Sequence, residues 1–293
     1  MAISAALVKD LRDRTGSGMM ECKKALQETS GDIDAAVELM RKTGLAKADK
    51  KAGRTVAEGV IAICAADDGK AVSMVEVNCE TDFVSKGRDF QQFAAEVASR
   101  VLDSSPADVE ALLGMTLVSG KSAEEVRREL IARIGENVHV RRFARFGTAK
   151  GTLNSYLHGN RIGVVVELEG GSAELGKDIA MHIAASAPLC VRASEVPAEV
   201  LAREREIFEA QAAESGKPAG IIAKMVDGRV RKYLNEVTLL GQPFVKNPDQ
   251  TIDALLQASG TTVLRFERFA LGEGIEKKVE SFADEVMAQV RGS

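Results

Sequence analysis

The amino-acid sequence predicts an α+β protein in which a helical head precedes two related copies of a small three-stranded antiparallel sheet. Three observations predict this class. Short helical segments separated by glycine-containing breaks fill about the first 45 residues, and the order hairpin, helix, third strand then occurs twice. The second copy is longer because it contains a helical insertion. With 293 residues, the chain is long enough for about two domains with a core in each.

Composition excludes several classes of protein. Hydrophobic residues make up 45% of the chain and charged residues 28%, which is typical of globular proteins. The net charge of −4 argues against a protein whose main task is to bind nucleic-acid phosphates, and no apolar run is long enough to cross a membrane. The first ten residues lack a secretion signal, and the four cysteines form no C-x-x-C pair. We therefore expect a cytoplasmic protein with reduced thiols, no disulfide and no zinc site.

The charge is distributed unevenly along the chain. Residues 1–54 carry 11 Lys/Arg and 8 Asp/Glu, whereas residues 55–120 carry 4 and 11. This contrast suggests a surface that meets another charged surface, although ordinary solvated faces would give the same totals.

The head is predicted to contain three short helices. Ser4 can cap the first helix, and the glycine-rich segment 15–18 ends it. The second helix runs from about Met19 to Thr29, and Asp32 can cap the third. Three helices in some forty residues form a compact but marginal bundle.

The head also contains a candidate binding patch and a segment that connects it to the rest of the chain. Met19 and Met20 lie beside the first turn and form a candidate binding patch, because methionine makes adaptable contacts. Alternatively, one of these two methionines belongs to the core of the bundle. Residues 46–54 are small or charged and have no apolar stripe, so they are interpreted as a solvated linker or a helical lead-in.

The rest of the chain is interpreted as a duplication. Each copy has a hairpin, then a helix, then a third strand, and the residue types and spacing match at all three places. In the first copy these elements are 59–65 with 71–77, a helix containing 89–95, and 138–146. In the second they are a hairpin turning at 158–160, a helix containing 178–184, and 263–269. His182 of the second copy corresponds to Phe93 of the first, which favours packing of this histidine within the helix layer.

The insertion in the second copy is predicted to be a helical hairpin at about residues 188–237. Segments 197–213 and 219–237 both have apolar residues among charged ones, and a Ser-Gly-Lys-Pro reversal at 215–218 separates them. Such an arm has few bulky residues, so we expect it to contact a partner. A last helix is predicted from residue 276 to about 290, after the glycines at 272 and 274.

The most tempting enzymatic motif is the segment 114–122, which resembles a phosphate-binding loop. It has five residues between its glycines where the loop needs four, and it follows a predicted helix where a strand is required. We interpret it as a turn in which Ser122 caps the next helix and Glu125 completes a capping box.

The three histidines show no metal-ligand spacing, and no nucleophile motif is present. We therefore expect no enzyme activity, no cofactor and no metal. The alternatives are an NTP hydrolase that uses Lys121 and an RNA-binding module based on the basic head.

The segment 78–86, between the second strand of the first copy and its helix, carries the strongest functional signal. Thr81 is a natural N-cap, which places Asp82 and Phe83 in the first helical turn. An exposed aromatic residue beside an acid is typical of an interface hot spot. The alternative is that Phe83 folds back as a hydrophobic staple.

The sequence resembles the bacterial elongation factor Ts family over essentially its whole length. The head segment 11–26 (LRDRTGSGMMECKKAL) matches the family's amino-terminal signature, and segment 76–84 (EVNCETDFV) matches its most specific one. The motifs IGEN at 134–137, HG at 158–159, GQP at 241–243 and GEGIEK at 272–277 follow in the family's order.

The resemblance implies a fold and a domain organisation. These are a ubiquitin-associated-like (UBA-like) head with linker at 1–54, core subdomains at 55–148 and 149–275, and a carboxy-terminal helical module at 276–293. The helical hairpin would be a coiled-coil arm of the second subdomain.

The resemblance also implies a function without bond chemistry. The family binds the GDP form of elongation factor Tu and promotes GDP release and GTP reloading; no direct nucleic-acid or membrane partner is implied. Four residues would displace Mg²⁺ from the partner's nucleotide site: Thr81, Asp82, Phe83 and Val84. Seven further positions match partner contacts: Lys9, Arg12, Met19, Met20, Ile134, Gly135 and His158.

Overall fold

A computed structural model describes residues 3–276 of the chain. Within this range the protein is mixed α+β, with eleven α-helices and small antiparallel sheets. None of the helices described is both long enough and apolar enough to span a membrane. Apart from its first residue, the helix predicted from residue 276 onward lies outside the described residues.

The secondary-structure elements are numbered in chain order. The helices are α1 (Ala5–Thr15), α2 (Met19–Glu28), α3 (Ile33–Lys51), α4 (Asp82–Ser85), α5 (Arg88–Ser104), α6 (Val109–Gly114), α7 (Ala123–Ile134), α8 (Ala173–Ser186), α9 (Ala198–Ala213), α10 (Ala219–Val237) and α11 (Ile252–Ala258). The strands are β1 (Glu58–Ala65), β2 (Ala71–Cys79), β3 (Val138–Gly147), β4 (Thr152–His158), β5 (Ile162–Glu169), β6 (Pro243–Phe244), β7 (Asn247–Thr251) and β8 (Thr262–Ala270).

The head forms a three-helix bundle of α1, α2 and α3 around a small apolar core. The side chains of Leu11, Cys22 and Leu26 are fully buried there. The predicted caps are present, since Ser4 Oγ accepts the Leu7 N–H at 3.2 Å and the Asp32 carboxylate accepts the Ala35 N–H at 2.9 Å. The capping residues in the sequence were therefore sufficient to define the starts of α1 and α3.

Helix α3 is longer than the predicted third helix and includes residues 46–51. For these residues the interpretation as a helical lead-in is confirmed, and the interpretation as a solvated linker is wrong. The physical reason is tertiary, because α3 packs against α7 in the same unit. A Cβ added at Gly44 would lie 2.7 Å from the Cβ of Ala132, so the two helix backbones approach closely. Packing supplies the stability that the local pattern of residues 46–51 does not show.

The two predicted copies form three-stranded sheets with the same strand order. The first sheet has the order β1-β2-β3 and the second β4-β5-β8, so the second strand of each hairpin is central in both. Strands β4 and β5 pair antiparallel from Thr152 opposite Leu168 to His158 opposite Ile162. The helix after each hairpin buries an apolar face, which includes Phe90 in α5 and Ile179 in α8.

The second copy contains three elements that the sequence pattern did not predict. Strands β6 and β7 form a short two-stranded sheet, and α11 follows them. Helix α11 contributes Ile252 and Leu256 to the same buried cluster as Ile179 and Leu239. These elements are too short for a periodic pattern to stand out from the surrounding loops.

The insertion forms a pair of packed helices, α9 and α10. Their contact buries Ala212, Val226 and Val230, and the rings of Phe208 and Tyr233 meet edge to face with centroids 6.3 Å apart. Gly216 in the connecting turn has φ +65°, a left-handed conformation that glycine adopts without strain.

The described residues divide into two compact units. One contains residues 3–62, 75–143 and 270–276, and the other contains 63–74 and 144–269. The first unit therefore holds the helical bundle together with α4 to α7. The domain boundaries expected at residues 54, 148 and 275 stay predictions.

Candidate interaction site

The chain leaves the central strand β2 through a sharp corner, which we define as residues Thr81–Val84. Thr81 has extended backbone and caps α4, with its Oγ1 accepting the Val84 N–H at 3.4 Å. Ser85 is buried, and its hydroxyl donates to the Asp82 carbonyl at 2.9 Å. The short helix then stops, and α5 restarts after Gly87. The corner is thus a single turn of helix between two larger elements.

The Phe83 ring points into solvent. Its exposed fraction is 83%, which is far above that of an ordinary aromatic side chain in a folded protein. The hydrophobic-staple alternative for Phe83 is therefore wrong. An exposed ring on a short turn costs free energy in water, so the turn is suited to contact with another apolar surface.

A second sequence motif lies directly beneath the corner. The Glu136 carboxylate accepts the Thr81 N–H at 2.9 Å through one oxygen and the Thr81 hydroxyl at 2.7 Å through the other. The next residue, Asn137, donates its backbone N–H to the Glu80 carboxylate at 2.7 Å. The structure therefore joins the IGEN motif to the corner, although 55 residues separate Thr81 from Glu136.

The same motif also connects the corner to the end of the head. Asn137 Nδ2 donates to the carbonyls of Ala52 and Arg54 at 3.3 and 3.1 Å. The Arg54 guanidinium lies 3.3 Å from the Glu80 carboxylate. Glu80 and Asn137 thus form the base of the corner, and both hold the chain where it leaves α3.

The Asp82 carboxylate lies beside a lysine on the same turn. Lys86 Nζ is 2.6 Å from Asp82 Oδ2, and both side chains are about half exposed or more. A solvent-exposed pair of this kind contributes about 0–1 kcal/mol. The pair with Lys86 therefore contributes little to holding the Asp82 carboxylate in place.

Cys79, at the end of β2, is an inert thiol. Burial, together with the negative charges of Glu136 and Glu58, raises the pKa of Cys79 to about 12. Its sulfur donates to the Thr81 carbonyl at 3.1 Å. The thiol therefore stays protonated at neutral pH and helps to fix the corner.

The sequence-predicted residues of the head are all on its surface. Lys9 and Arg12 are exposed on one face of α1, three residues apart. Met19 and Met20 begin α2 with 49% and 75% of their surfaces exposed. The alternative in which one methionine is part of the core is therefore wrong.

Ile134 and Gly135 lie where α7 ends, immediately before Glu136. Gly135 caps the helix in a left-handed conformation with φ +87°, and its carbonyl accepts a hydrogen bond from Lys51 Nζ. The bundle packs on this same helix, since a Cβ at Gly16 would lie 3.0 Å from the Arg133 side chain. The IGEN motif is therefore positioned by the bundle on one side and by the corner on the other.

His158 belongs to the other unit, where it is the last residue of β4. It is exposed, and its Nδ1 is 3.1 Å from the Tyr156 hydroxyl. The two rings lie 6.1 Å apart at an angle of 33°. Tyr156 thus restricts the orientation of an otherwise solvent-exposed imidazole.

The segment that resembled a phosphate-binding loop is a turn before α7, as the sequence predicted. Ser122 and Glu125 form the reciprocal capping box. Lys121 Nζ contacts both oxygens of the Glu129 carboxylate at 2.6 and 2.7 Å. The lysine is therefore engaged within the protein and does not point into a cradle of backbone N–H groups.

Sequence reasoning missed the residues that support the corner. No role was predicted for Glu80, Glu136, Asn137 or Arg54, although the first three belong to family motifs found in the sequence. The available signal was a Gly-Glu-Asn sequence between a helix and a strand, where polar side chains commonly bond to a neighbouring backbone. Among the described residues, no group of three or more His, Cys, Asp or Glu could hold a metal ion.

Comparison with known proteins identifies the family. A family model described as elongation factor TS matches residues 80–273. The chain is 64% identical to elongation factor Ts of Methylococcus capsulatus and 63% identical to that of Thioalkalivibrio sulfidiphilus, and both matches cover all of both chains. The chain belongs to the elongation factor Ts family. The resemblance found in the sequence is therefore confirmed.

Family membership establishes the general activity. Elongation factor Ts is the nucleotide exchange factor for elongation factor Tu in protein biosynthesis. The protein accordingly acts on the GDP form of elongation factor Tu and promotes GDP release and GTP reloading.

Proposed function

We propose that the Thr81–Val84 corner is the part of this exchange factor that enters the partner's nucleotide site and displaces Mg²⁺. The single observation that carries this proposal is the 83% exposure of Phe83 on a turn that is braced from below. A rigid turn loses little conformational entropy on binding, so an exposed ring on it can act as a wedge. Val84 follows the ring and completes the turn.

Asp82 supplies the charge beside the wedge. Its carboxylate is half exposed and its pairing with Lys86 is weak, as expected for a surface ion pair. A carboxylate brought near a Mg²⁺ site perturbs the groups that hold the ion. The ring separates elements of the partner, and the carboxylate disturbs its metal ligands.

Displacing Mg²⁺ is an effective way to loosen GDP. The ion bridges phosphate oxygens to the protein, so its loss leaves phosphate charge poorly compensated. Weakening GDP binding a thousandfold requires about 4 kcal/mol of the factor's binding free energy. By linkage, GDP must weaken the binding of the factor by the same ratio.

Other surfaces supply the binding energy in this proposal. The head is a UBA-like module that contributes Lys9, Arg12, Met19 and Met20, and α7 contributes Ile134 and Gly135. His158 contributes from the other unit, and the α9–α10 pair acts as a coiled-coil arm. The protein itself catalyses no bond chemistry, needs no cofactor, binds no nucleic acid or membrane directly, and works in the cytoplasm, where translation takes place.

The proposal is tested by stopped-flow release of fluorescent GDP from elongation factor Tu. The double variant Asp82→Ala/Phe83→Ala should reduce the maximal rate of release on the order of a hundredfold, which is the size expected for a central hot spot. It should still bind elongation factor Tu, because the head and the second unit are unchanged.

The matched control is Val118→Ala, since Val118 is an apolar residue that is 87% exposed in the turn before α7. This variant should release GDP at the wild-type rate. Normal release by the double variant would contradict the assignment of the corner, whatever the control does.

A further inference from the structure

The corner is too short to hold its shape by itself. Helix α4 has four residues, well below the length at which isolated helices are stable in water. Phe83, its largest side chain, is mostly exposed and gives the turn little packing energy. The fixed orientation of this turn therefore depends on contacts with other parts of the fold.

Glu136 supplies the long-range contact. One carboxylate oxygen accepts the Thr81 N–H at 2.9 Å, and the other accepts the Thr81 hydroxyl at 2.7 Å. Hydrogen bonds to an ionised carboxylate are about twice as strong as neutral ones. The pair of bonds also fixes direction, because two points on one residue are held at the same time.

The second of these bonds determines how Thr81 caps α4. A threonine hydroxyl has one hydrogen to donate and two lone pairs to accept with. When the hydrogen is donated to Glu136, a lone pair of the same oxygen is available for the Val84 N–H. Glu136 therefore favours the Thr81 rotamer in which Oγ1 caps α4, and it also holds the Thr81 N–H. Together these bonds fix the start of the turn that carries Asp82 and Phe83.

Glu136 is itself held in place. The preceding Gly135 is fixed by its left-handed cap and by Lys51, and the following Asn137 bonds to Glu80 and to the carbonyl of Arg54. A carboxylate between two anchored residues is pre-organised, so it orients Thr81 without having to be ordered first.

The second copy lacks this arrangement at the equivalent place. Ser172 caps α8 with its Oγ accepting the Leu175 N–H at 3.1 Å. The turn beside it supplies Gly260 and Thr261, and a Cβ at Gly171 would lie 2.5 Å from the Thr261 Oγ1. That contact is close packing around small residues, without a carboxylate. The Glu136 bridge is thus a feature of the copy that carries the exposed corner.

We propose that Glu136 is a positioning residue for nucleotide exchange, which holds Thr81 so that the corner presents Asp82 and Phe83 in one orientation. This inference rests on the proposed function of the corner. It assigns to Glu136 no contact with the partner's nucleotide site. Its removal should lower the rate of GDP release from the complex more than it lowers affinity for elongation factor Tu.

The test compares Glu136→Gln, Glu136→Asp and wild type in stopped-flow release of fluorescent GDP. The glutamine amide carries no charge and puts a donor nitrogen where one carboxylate oxygen accepted the Thr81 hydroxyl. That nitrogen then competes with the Val84 N–H for the lone pairs of Thr81 Oγ1, which weakens the cap of α4. We expect Glu136→Gln to reduce the maximal rate at saturating factor on the order of tenfold, with a change of less than about twofold in the half-saturating concentration. Glu136→Asp keeps both acceptors and should recover part of the rate.

The matched control is Glu129→Gln, which removes a half-buried carboxylate from the neighbouring helix α7 without touching the corner. It should leave the maximal rate unchanged. Amide hydrogen exchange at Val84 should be faster in Glu136→Gln than in wild type or in the control, because the cap of α4 is weakened.

The possible outcomes separate the two proposals. If Glu136→Gln releases GDP at the wild-type maximal rate while Asp82→Ala/Phe83→Ala does not, the positioning role is contradicted and the corner is retained. If the double variant is fully active, the corner itself is excluded. A Glu136→Gln variant that changes only half-saturation or only thermal stability would also contradict positioning, since both are effects of a purely structural residue.

Discussion

The two copies of the sheet-and-helix unit differ most where the central strand meets its helix. In the first copy, six positions separate the N-cap Thr81 from Gly87, and in the second, four separate Ser172 from Gly176. After these glycines the sequences run in parallel, so that fully buried Phe90 corresponds to fully buried Ile179. The first copy therefore carries two extra residues at this junction.

Helical geometry explains what these two residues do. Two residues added to a continuous helix would rotate everything after them by about 200°, which would turn the buried face of α5 toward solvent. The first copy keeps that face buried by stopping α4 at Ser85 and restarting α5 at Arg88. The short helix α4 is therefore separate from α5, and it carries Phe83 into solvent. A small insertion under a packing constraint has thus produced an exposed site, whereas the second copy has an ordinary capped helix.

The most severe test of this comparison converts one junction into the other. Replacing residues 81–87 by the sequence of residues 172–176 should give a continuous helix, preserve the fold and remove the corner. We expect GDP release to slow on the order of a thousandfold, equivalent to about 4 kcal/mol. Circular dichroism checks that the fold is preserved, and stopped-flow measurement gives the rate of GDP release. A folded chimera that retains full exchange activity would show that the extra residues have no function.

The central strands of the two copies also carry matched carboxylates with different surroundings. Glu76 on β2 is fully buried and bonds to Arg141, Arg142 and the Gly272 N–H at 3.0, 2.6 and 2.8 Å. Burial raises the pKa of Glu76, but the Gly272, Arg142 and Arg141 bonds together hold it below the ordinary value. The first copy thus uses its carboxylate to join two strands to the turn after β8.

In the second copy, Glu167 on β5 bonds to Arg265 at 2.7 Å, and Arg265 also lies over the Phe146 ring. Burial raises the pKa of Glu167, but the Thr148 hydroxyl and Arg265 hold it below the ordinary value. Fewer groups depend on this carboxylate than on its counterpart in the first copy.

Neutralising these two carboxylates should therefore have unequal effects. We expect Glu76→Gln to lower the free energy of unfolding by about 3 kcal/mol, because it leaves a buried ionic cluster incomplete. Glu167→Gln should lower it by about 1 kcal/mol, because half of the Arg265 side chain is exposed. Urea unfolding at pH 7 measures both, and equal losses would contradict the distinction.

The contribution of Glu76 to the free energy of unfolding depends on pH. Because the folded-state pKa of Glu76 is lowered, its contribution is complete above about pH 4.5 and is lost as the pH falls through the folded value. Wild-type stability should therefore decline below about pH 4.5 more steeply than that of Glu76→Gln.

A last difference concerns the position where the first copy has an aromatic ring and the second has an imidazole. His182 is fully buried where the first copy has Phe93. Its Nδ1 accepts the Val245 N–H at 3.2 Å, so its Nε2–H donates to the Gln242 side chain at 3.0 Å. His182→Phe should lower the free energy of unfolding by about 1–2 kcal/mol, because it leaves the buried Gln242 side chain and the Val245 N–H without this partner. GDP release should be unchanged.

Acidification checks this assignment independently. Burial lowers the pKa of His182, while the Gln242 bond acts in the opposite direction. The neutral imidazole therefore contributes stability above its ordinary pKa of about 6.5, and this contribution decreases as the pH falls toward the folded value. Unfolding at pH 7.5 and 5.5 should show a drop in wild type that His182→Phe lacks. An identical drop in both proteins would assign it to another group.

Part of the site was predictable because capping is local. Thr81 as N-cap and the Ser122–Glu125 capping box both follow from residues within three positions of each other, and both are present. The matching order of the two copies was also predictable, because strand and helix periods are properties of short segments.

The support of the site was not predictable in this way. Glu136 and Thr81 are 55 residues apart, and nothing in either segment alone indicates that they meet. The extension of α3 through Lys51 has the same origin, since it depends on close packing between Gly44 and Ala132. Both features are consequences of long-range packing, which local propensity does not contain.

The sequence by itself determined most of the longer elements, the caps, the duplication and the family, because each depends on residue identity over a few positions or on an ordered set of motifs. Only the tertiary structure decided that Phe83 is exposed and that Glu136 lies beneath the turn that carries it. The physical reason is that exposure and orientation depend on which distant segment occupies the neighbouring space. For this protein, that segment is the end of α7.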